Sequence, residues 1–278
     1  PAKSEQVLFC RLADAQRAAY MALLRSPLVE SALVGRGKAV LAALTSLRKV
    51  CGHADLLLDP GQRPPDYGAP ERSAKMQVLL RVLGGWAAGG HRALVFSQTR
   101  QVLDLLEAAV VAAGWAYRRM DGTTPVPARQ RLVDEFNGSG GVFCMLLTTR
   151  VGGLGVNLTG ADRVLLFDPD WNPAVDAQAR ERAWRVGQSR EVCVYRLVTA
   201  GTVEEKMYHR QVYKQLLTER VLRDPQQRRV FRQRDLVDLF SPPLDLPGGT
   251  ETGDLFADVA HEMLGDDDEA AAAAAAAA

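Results

Sequence analysis

Four short apolar runs constrain this chain more than any other feature: Ala93-Leu94-Val95-Phe96, Val142-Phe143-Cys144-Met145-Leu146-Leu147, Val164-Leu165-Leu166-Phe167 and Val192-Cys193-Val194-Tyr195. Runs this short and uniformly apolar suit strands buried on both faces. Between the first two, Val102, Leu105, Leu106, Ala109, Val110 and Ala113 recur at helical spacing, as do Leu132, Val133 and Phe136. Strands alternating with amphipathic helices predict an α/β fold, a parallel sheet with helices on both faces. Ligands in such sheets bind beyond the carboxyl ends of the strands, so the loops after Phe96, Leu147 and Phe167 are where chemistry is expected.

The rest of the chain divides around that core. Residues 5 to about 58 are expected to be helical, on the evidence of the unbroken run from Ala39 to Leu47. Asp59-Pro60-Gly61, Pro64-Pro65, Gly68 and Pro70 read as a linker over 59–74. A capping box, Thr202-Val203-Glu204-Glu205, opens a last helix that should run to about Leu222. The expected units are therefore a helical segment over 1–58, the linker, a sheet domain over 75–201, helices over 202–240 and a tail over 241–278.

With 278 residues, 47% of them hydrophobic, the chain can fill a large core. No apolar stretch approaches the length of a membrane span. The start, Pro1-Ala2-Lys3, has neither an initiator Met nor a signal-peptide core and reads as a piece of a longer chain. Cys10, Cys51, Cys144 and Cys193 are scattered, which indicates neither a disulfide framework nor a zinc site and fits a reducing compartment. Cys51 and His53 alone cannot close a metal site, so no metal is expected on this chain itself. The net charge of +1 hides a polarity: nine basic and two acidic residues lie between Lys206 and Arg234, and eleven acidic residues with no Lys or Arg between Asp235 and Glu269. The basic stretch suits phosphates or a solvated helix face, and the acidic stretch, ending in alanines, a mobile tail.

The most informative segment runs from Asp168-Pro169-Asp170-Trp171-Asn172-Pro173 to Arg185-Val186-Gly187-Gln188. Asn172 suits an N-cap, Pro173 the first helical position, and Gly187 a left-handed terminus. A helix between them would put Gln178, Arg182 and Arg185 on one face, at i, i+4 and i+7. Two guanidinium forks and an amide there can meet a phosphate whose charge grows in a transition state; the plainer alternative is a surface helix with pairs such as Glu181 and Arg185. Trp171 sits in a polar turn, either packed under the loop or stacked on a nucleotide or strand. After the second strand, Thr148-Thr149-Arg150-Val151-Gly152-Gly153-Leu154-Gly155 combines hydroxyls, a guanidinium and glycines that admit close backbone approach to phosphate. Ser97-Gln98-Thr99-Arg100 after the first strand is a similar cluster, expected to face outward. No G-x-x-x-x-G-K-S/T loop is present, and Gly35-Arg36-Gly37-Lys38-Ala39 does not substitute for one. Arginines without a phosphate cradle imply a nucleotide borrowed from another domain.

Leu147-Thr148-Thr149-Arg150-Val151-Gly152-Gly153-Leu154-Gly155-Val156-Asn157-Leu158 and the Asp-Trp-Asn-Pro to Arg-Val-Gly-Gln block closely resemble motifs V and VI of the Swi/Snf-type superfamily 2 ATPases. The resemblance covers about Lys75 to Leu222, with Val95-Phe96-Ser97-Gln98 similar to motif IV, and Met120-Asp121-Gly122-Thr123, Arg129 and Phe136-Asn137 to the next element. It implies the C-terminal RecA-like lobe of a two-lobed motor, with an N-terminal helical protrusion and a C-terminal brace helix. ATP and Mg²⁺ would lie between the lobes, with most ligands on the N-terminal lobe, and double-stranded DNA across both. Arg182 and Arg185 would then be arginine fingers, with Gln178 beside them. Gly153, Gly155 and Asn157 would couple nucleotide to DNA, and Ser97, Gln98, Thr149, Arg150 and Trp171 would lie on the DNA side. The flanks, Glu5 to Leu12 and Arg223 to Phe240, resemble the Cockayne syndrome protein B branch, which implies nuclear action in transcription-coupled repair with RNA polymerase II, or on nucleosomes. Cys51-Gly52-His53-Ala54 departs from the family, which more often has Asn and Pro at the second and fourth of these positions. Two rival readings are an RNA helicase lobe, which lacks its His-Arg-x-Gly-Arg pattern here, and a non-catalytic module that docks a protein partner.

Overall fold

The computed structural model describes residues 1–34, 37–138, 141–152, 155–220 and 237–242. At its centre is a six-stranded, all-parallel sheet in the order β1-β6-β5-β2-β4-β3, built from β1 (Lys3–Cys10), β2 (Ala93–Ser97), β3 (Tyr117–Met120), β4 (Cys144–Thr148), β5 (Arg163–Leu166) and β6 (Val192–Thr199). Parallel pairing needs crossover connections, and the helices supply them. The four strands expected from apolar runs, β2, β4, β5 and β6, are the four central ones. Every residue of β2 and β4 is buried.

Alternation across the sheet sends successive side chains to opposite cores. Ala93, Val95, Cys144, Leu146 and Leu165 face one core with α4 (Ala74–Ala88) and α5 (Arg100–Ala112). Leu94, Phe96, Met145, Leu147, Val164 and Leu166 face the other, with α6 (Val126–Gly138) and α8 (Pro173–Arg180). The short α7 (Thr149–Gly152) follows β4 directly. Thr99 caps α5 by accepting from Val102 N at 3.3 Å, which ends β2 and starts the helix in three residues.

Two expectations about the flanking segments need correction. Helix was expected from residue 5, yet Lys3–Cys10 is an edge strand in parallel register with Val192–Thr199. Its polar half, Lys3 to Gln6, hides it from a search for apolar runs, because an edge strand is half exposed. The helical segment then begins with α1 (Asp14–Leu24), α2 (Pro27–Leu33) and α3 (Gly37–Gly52). Their cluster includes Tyr20, Leu44, Leu47 and Val50 and packs on Val203 and Met207 of α9 (Val203–Arg220), and on Leu239 and Phe240. The stretch read as a linker is not loose. It folds into short 3₁₀ turns, pinned where buried Asp55 accepts from Gly68 N at 2.8 Å and pairs with Arg72.

The departure at Cys51-Gly52-His53-Ala54 forms an ordered turn: His53 Nδ1 accepts from Asp55 N and caps a 3₁₀ turn over Ala54–Leu57. The opening of α9 modifies its expected box, with Thr202 Oγ1 accepting from Glu204 N while Glu205 accepts from Gly201 N at 2.6 Å. The acidic tail beyond 242, residues 221 and 222 of the expected helix end, and residues 221–234 of the basic stretch lie outside the described residues.

Candidate nucleotide and nucleic-acid interface

The loops after β2, β4 and β5 converge at the carboxyl edge of the sheet, and one buried carboxylate joins two of them. Asp168, after β5, accepts from Gln98 N at 2.9 Å and from Ser97 Oγ at 3.3 Å. Ser97 is fully buried, so the outward-facing hydroxyl expected there is in fact spent inside. Gln98 is half buried, with its Nε2 shielded and unpartnered among the described residues. Burial pushes the Asp168 carboxyl up, against the opposing pull of Arg48, Lys75 and the Gln98 amide.

The turn after β5 is gripped from several elements. Lys75, at the start of α4, donates to Phe167 O at 2.9 Å and pairs with Glu204 of α9 at 2.5 Å, both side chains fully buried. Arg48 of α3 donates to Pro169 O at 2.7 Å. Asn172 caps α8 as expected, accepting from Ala174 N at 3.2 Å, with Pro173 at the first helical position. Trp171 stands at the apex, 38% exposed.

α8 is shorter than expected. It stops at Arg180, and residues 181–187 continue as turns, with Gly187 in the left-handed region at φ +102°. Gln178, Arg182 and Arg185 therefore do not share one helical face: Gln178 and Arg185 are exposed, while Arg182 is buried. Two buried donors of Arg182, Nε and Nη1, have no hydrogen-bond partner among the described residues. Burial, and then the adjacent Arg185, hold its guanidinium below the ordinary arginine value. Arg185 Nη1 donates to Gly155 O at 3.0 Å, and Leu158 N donates to Arg182 O at 3.0 Å, so the arginine segment and the glycine loop are one assembly. Gln188 staples it, its Nε2 lying 2.8 to 3.2 Å from Thr159 O, Ala161 O and Ala183 O.

Within the loop after β4, Thr149 is buried and Arg150 exposed. Gly155 has φ +82°, which favours glycine. Asn157 is exposed, and its carbonyl accepts from Asn137 Nδ2 at 2.8 Å, tying the loop to α6. Gly153 lies outside the described residues. Reading by motif gave no role to Lys75, Glu204 or Gln188. Only the capping box hinted at Glu204, since ion partners far apart in sequence carry no spacing signal.

Residues 74–187 match the helicase conserved C-terminal domain. The chain is 52% identical over 265 residues to the DNA excision repair protein CSB of Oryza sativa subsp. japonica, covering 95% of this chain and 22% of that protein. It is 53% identical over 248 residues to the DNA repair and recombination protein RAD26 of Saccharomyces cerevisiae, covering 87% of this chain and 23% of that protein. The chain thus spans about a fifth of the length of these relatives. Among solved structures, the Sulfolobus solfataricus SWI2/SNF2 ATPase core in complex with dsDNA aligns with a TM-score of 0.67 at 26% identity, over 78% of this chain and 45% of that one. The C-terminal domain of the Sulfolobus solfataricus SWI2/SNF2 ATPase aligns at 0.69 and 22% identity, over 87% of this chain and all of that one, a likeness of fold.

In sequence and in fold the chain is similar to the C-terminal RecA-like lobe of the Swi/Snf-type superfamily 2 ATPases. Within that family its sequence falls with the Cockayne syndrome protein B branch, to which the CSB, ERCC-6 and RAD26 proteins contribute relatives about half identical to it.

Proposed function

We propose that this chain is the C-terminal motor lobe of an ATP-dependent double-stranded-DNA translocase acting in the nucleus, in transcription-coupled repair or chromatin remodelling. The observation that carries the reading is the state of Arg182: a buried guanidinium with two unpartnered donors beside a second, exposed arginine. Buried donors are rarely left unmet, and an arriving anion would satisfy them. Arg182 and Arg185 fit a polyphosphate held on an N-terminal lobe, where ATP with Mg²⁺ supplies the phosphoryl group. Their charge would stabilise the negative charge that grows as that group transfers, and Gln178, exposed on α8, would assist from beside them. Gly153, Gly155 and Asn157 would carry the change to the loop after β4. Trp171, Arg150, Thr149 and Gln98 would present to duplex DNA; Ser97 would act through Asp168 by holding the turn. RNA polymerase II or a nucleosome would be the partner of the complete protein.

With the phosphate-binding loop on another lobe, this chain alone is expected neither to hold ATP tightly nor to hydrolyse it. In the two-lobed motor, Arg182→Ala and Arg185→Ala should each lower DNA-stimulated ATP turnover, by about 10³-fold or more for a true finger, with DNA binding retained. Unchanged turnover in both variants would sink the assignment.

A further inference from the structure

α8 has little apolar anchorage. Of its eight residues, Pro-Ala-Val-Asp-Ala-Gln-Ala-Arg, only Asp176 and Ala179 are buried. One methyl group cannot fix a helix against a sheet, yet this helix separates the Trp171 turn from the Arg182–Arg185 segment. What holds it is a chain of charges from the edge strand. Glu5 of β1 pairs through Oε2 with Arg180, the last residue of α8, and through Oε1 with Arg196 Nη2 of β6 at 3.0 Å. The other arm of Arg196, Nη1, meets Asp176 Oδ2 at 3.0 Å. Asp176 in turn accepts from Asp170 N, at 3.3 and 3.2 Å to its two oxygens, and Gln211 of α9 donates to Asp170 O.

We propose that Glu5 and Arg196 are positioning residues that fix both ends of α8, so that the Trp171 turn and the Arg182–Arg185 segment move as one body. The guanidinium fork suits the task, because two partners on different elements are held by one rigid plane, which an ammonium cannot do. Buried ion pairs contribute little net stability compared with apolar side chains of the same size, so their use here is geometric. The functional half of the proposal rests on reading Arg182 and Arg185 as phosphate-facing; the mechanical half does not.

The test uses the two-lobed motor carrying Glu5→Gln or Arg196→Lys. The first substitution keeps the size of a partly exposed side chain without its charge, and the second keeps the charge without the fork. Amide hydrogen exchange should accelerate together at residues 170–172 and 180–185, with the strands β2 and β4 unchanged. The kcat for DNA-stimulated ATP hydrolysis should fall about 10- to 100-fold, the scale of small misplacements in an active site, with KM for ATP and duplex affinity unchanged. Wild-type turnover in both variants, faster exchange at one end only, or equal acceleration in β2 and β4 would each overturn the proposal. If Arg182→Ala keeps full activity, the phosphate-facing reading fails, and the paired exchange still decides whether α8 links its two ends.

Discussion

Lys75→Met removes the cation from a pair in which both side chains are fully buried, and its cost can be worked from the contacts. Lys75 Nζ stands 2.5 Å from Glu204 Oε2 and donates to Phe167 O at 2.9 Å. Breaking a buried pair from one side leaves an uncompensated charge, worth about 3 to 5 kcal/mol. The orphaned carbonyl adds about 1 kcal/mol. Stability of the order of 5 to 15 kcal/mol would lose a large share, and Tm should drop by about 10 °C or more. Removing the second charge as well should reverse part of the loss. A glutamine in place of Glu204 still accepts from Thr199 N, a bond Glu204 makes at 3.0 Å, so Lys75→Met with Glu204→Gln should recover about 2 kcal/mol over Lys75→Met alone. Urea unfolding of the four members of this double-mutant cycle measures the coupling. A cost below about 1 kcal/mol for Lys75→Met, or a second substitution that only adds its own loss, would refute the reasoning.

Acid should act on Asp121. Burial would raise its carboxyl, but the Thr123 hydroxyl and amide, and then Arg119, outweigh it and hold the group down at about 2. A folded value below the unfolded one gives stability that is present above about pH 4 and lost as pH falls toward 2, about 2 kcal/mol in all. Asp121→Asn should therefore be less stable at pH 7 and show a flatter unfolding profile between about pH 4 and 2; an unchanged profile would count against the Asp121 linkage. The thiols offer an independent check, since burial pushes Cys10 up to about 11 and Cys51 and Cys144 up to about 12. All three should resist iodoacetamide at about pH 8 until the chain unfolds, by mass spectrometry of labelled peptides, and labelling at the rate of a free cysteine would contradict their burial.

The central strands and their crossover helices were legible because each is written locally. A run such as Cys144 to Leu147 can be nothing but interior, and Asn172-Pro173 starts a helix by its own geometry. The family motifs were legible for the same reason, as contiguous loops at strand ends. The two edge strands were not, since Lys3 to Gln6 and Arg118-Arg119 look like surface until a neighbour supplies hydrogen bonds to their backbones. Nor was the end of α8, where Arg182 leaves the helix and turns inward.

By itself, then, the sequence determined the fold class and which loops, with their arginines, stand at the carboxyl ends of the strands, because periodicity and capping act over a few residues. The tertiary structure alone decided which groups hold those loops in place. Lys75 meets Glu204, Glu5 meets Arg196 and Asp168 meets Gln98 across long stretches of chain, and each partner is an ordinary polar residue until the sheet brings the two together. Removed from water, these charges must find each other, and the sheet's topology settles which ones do.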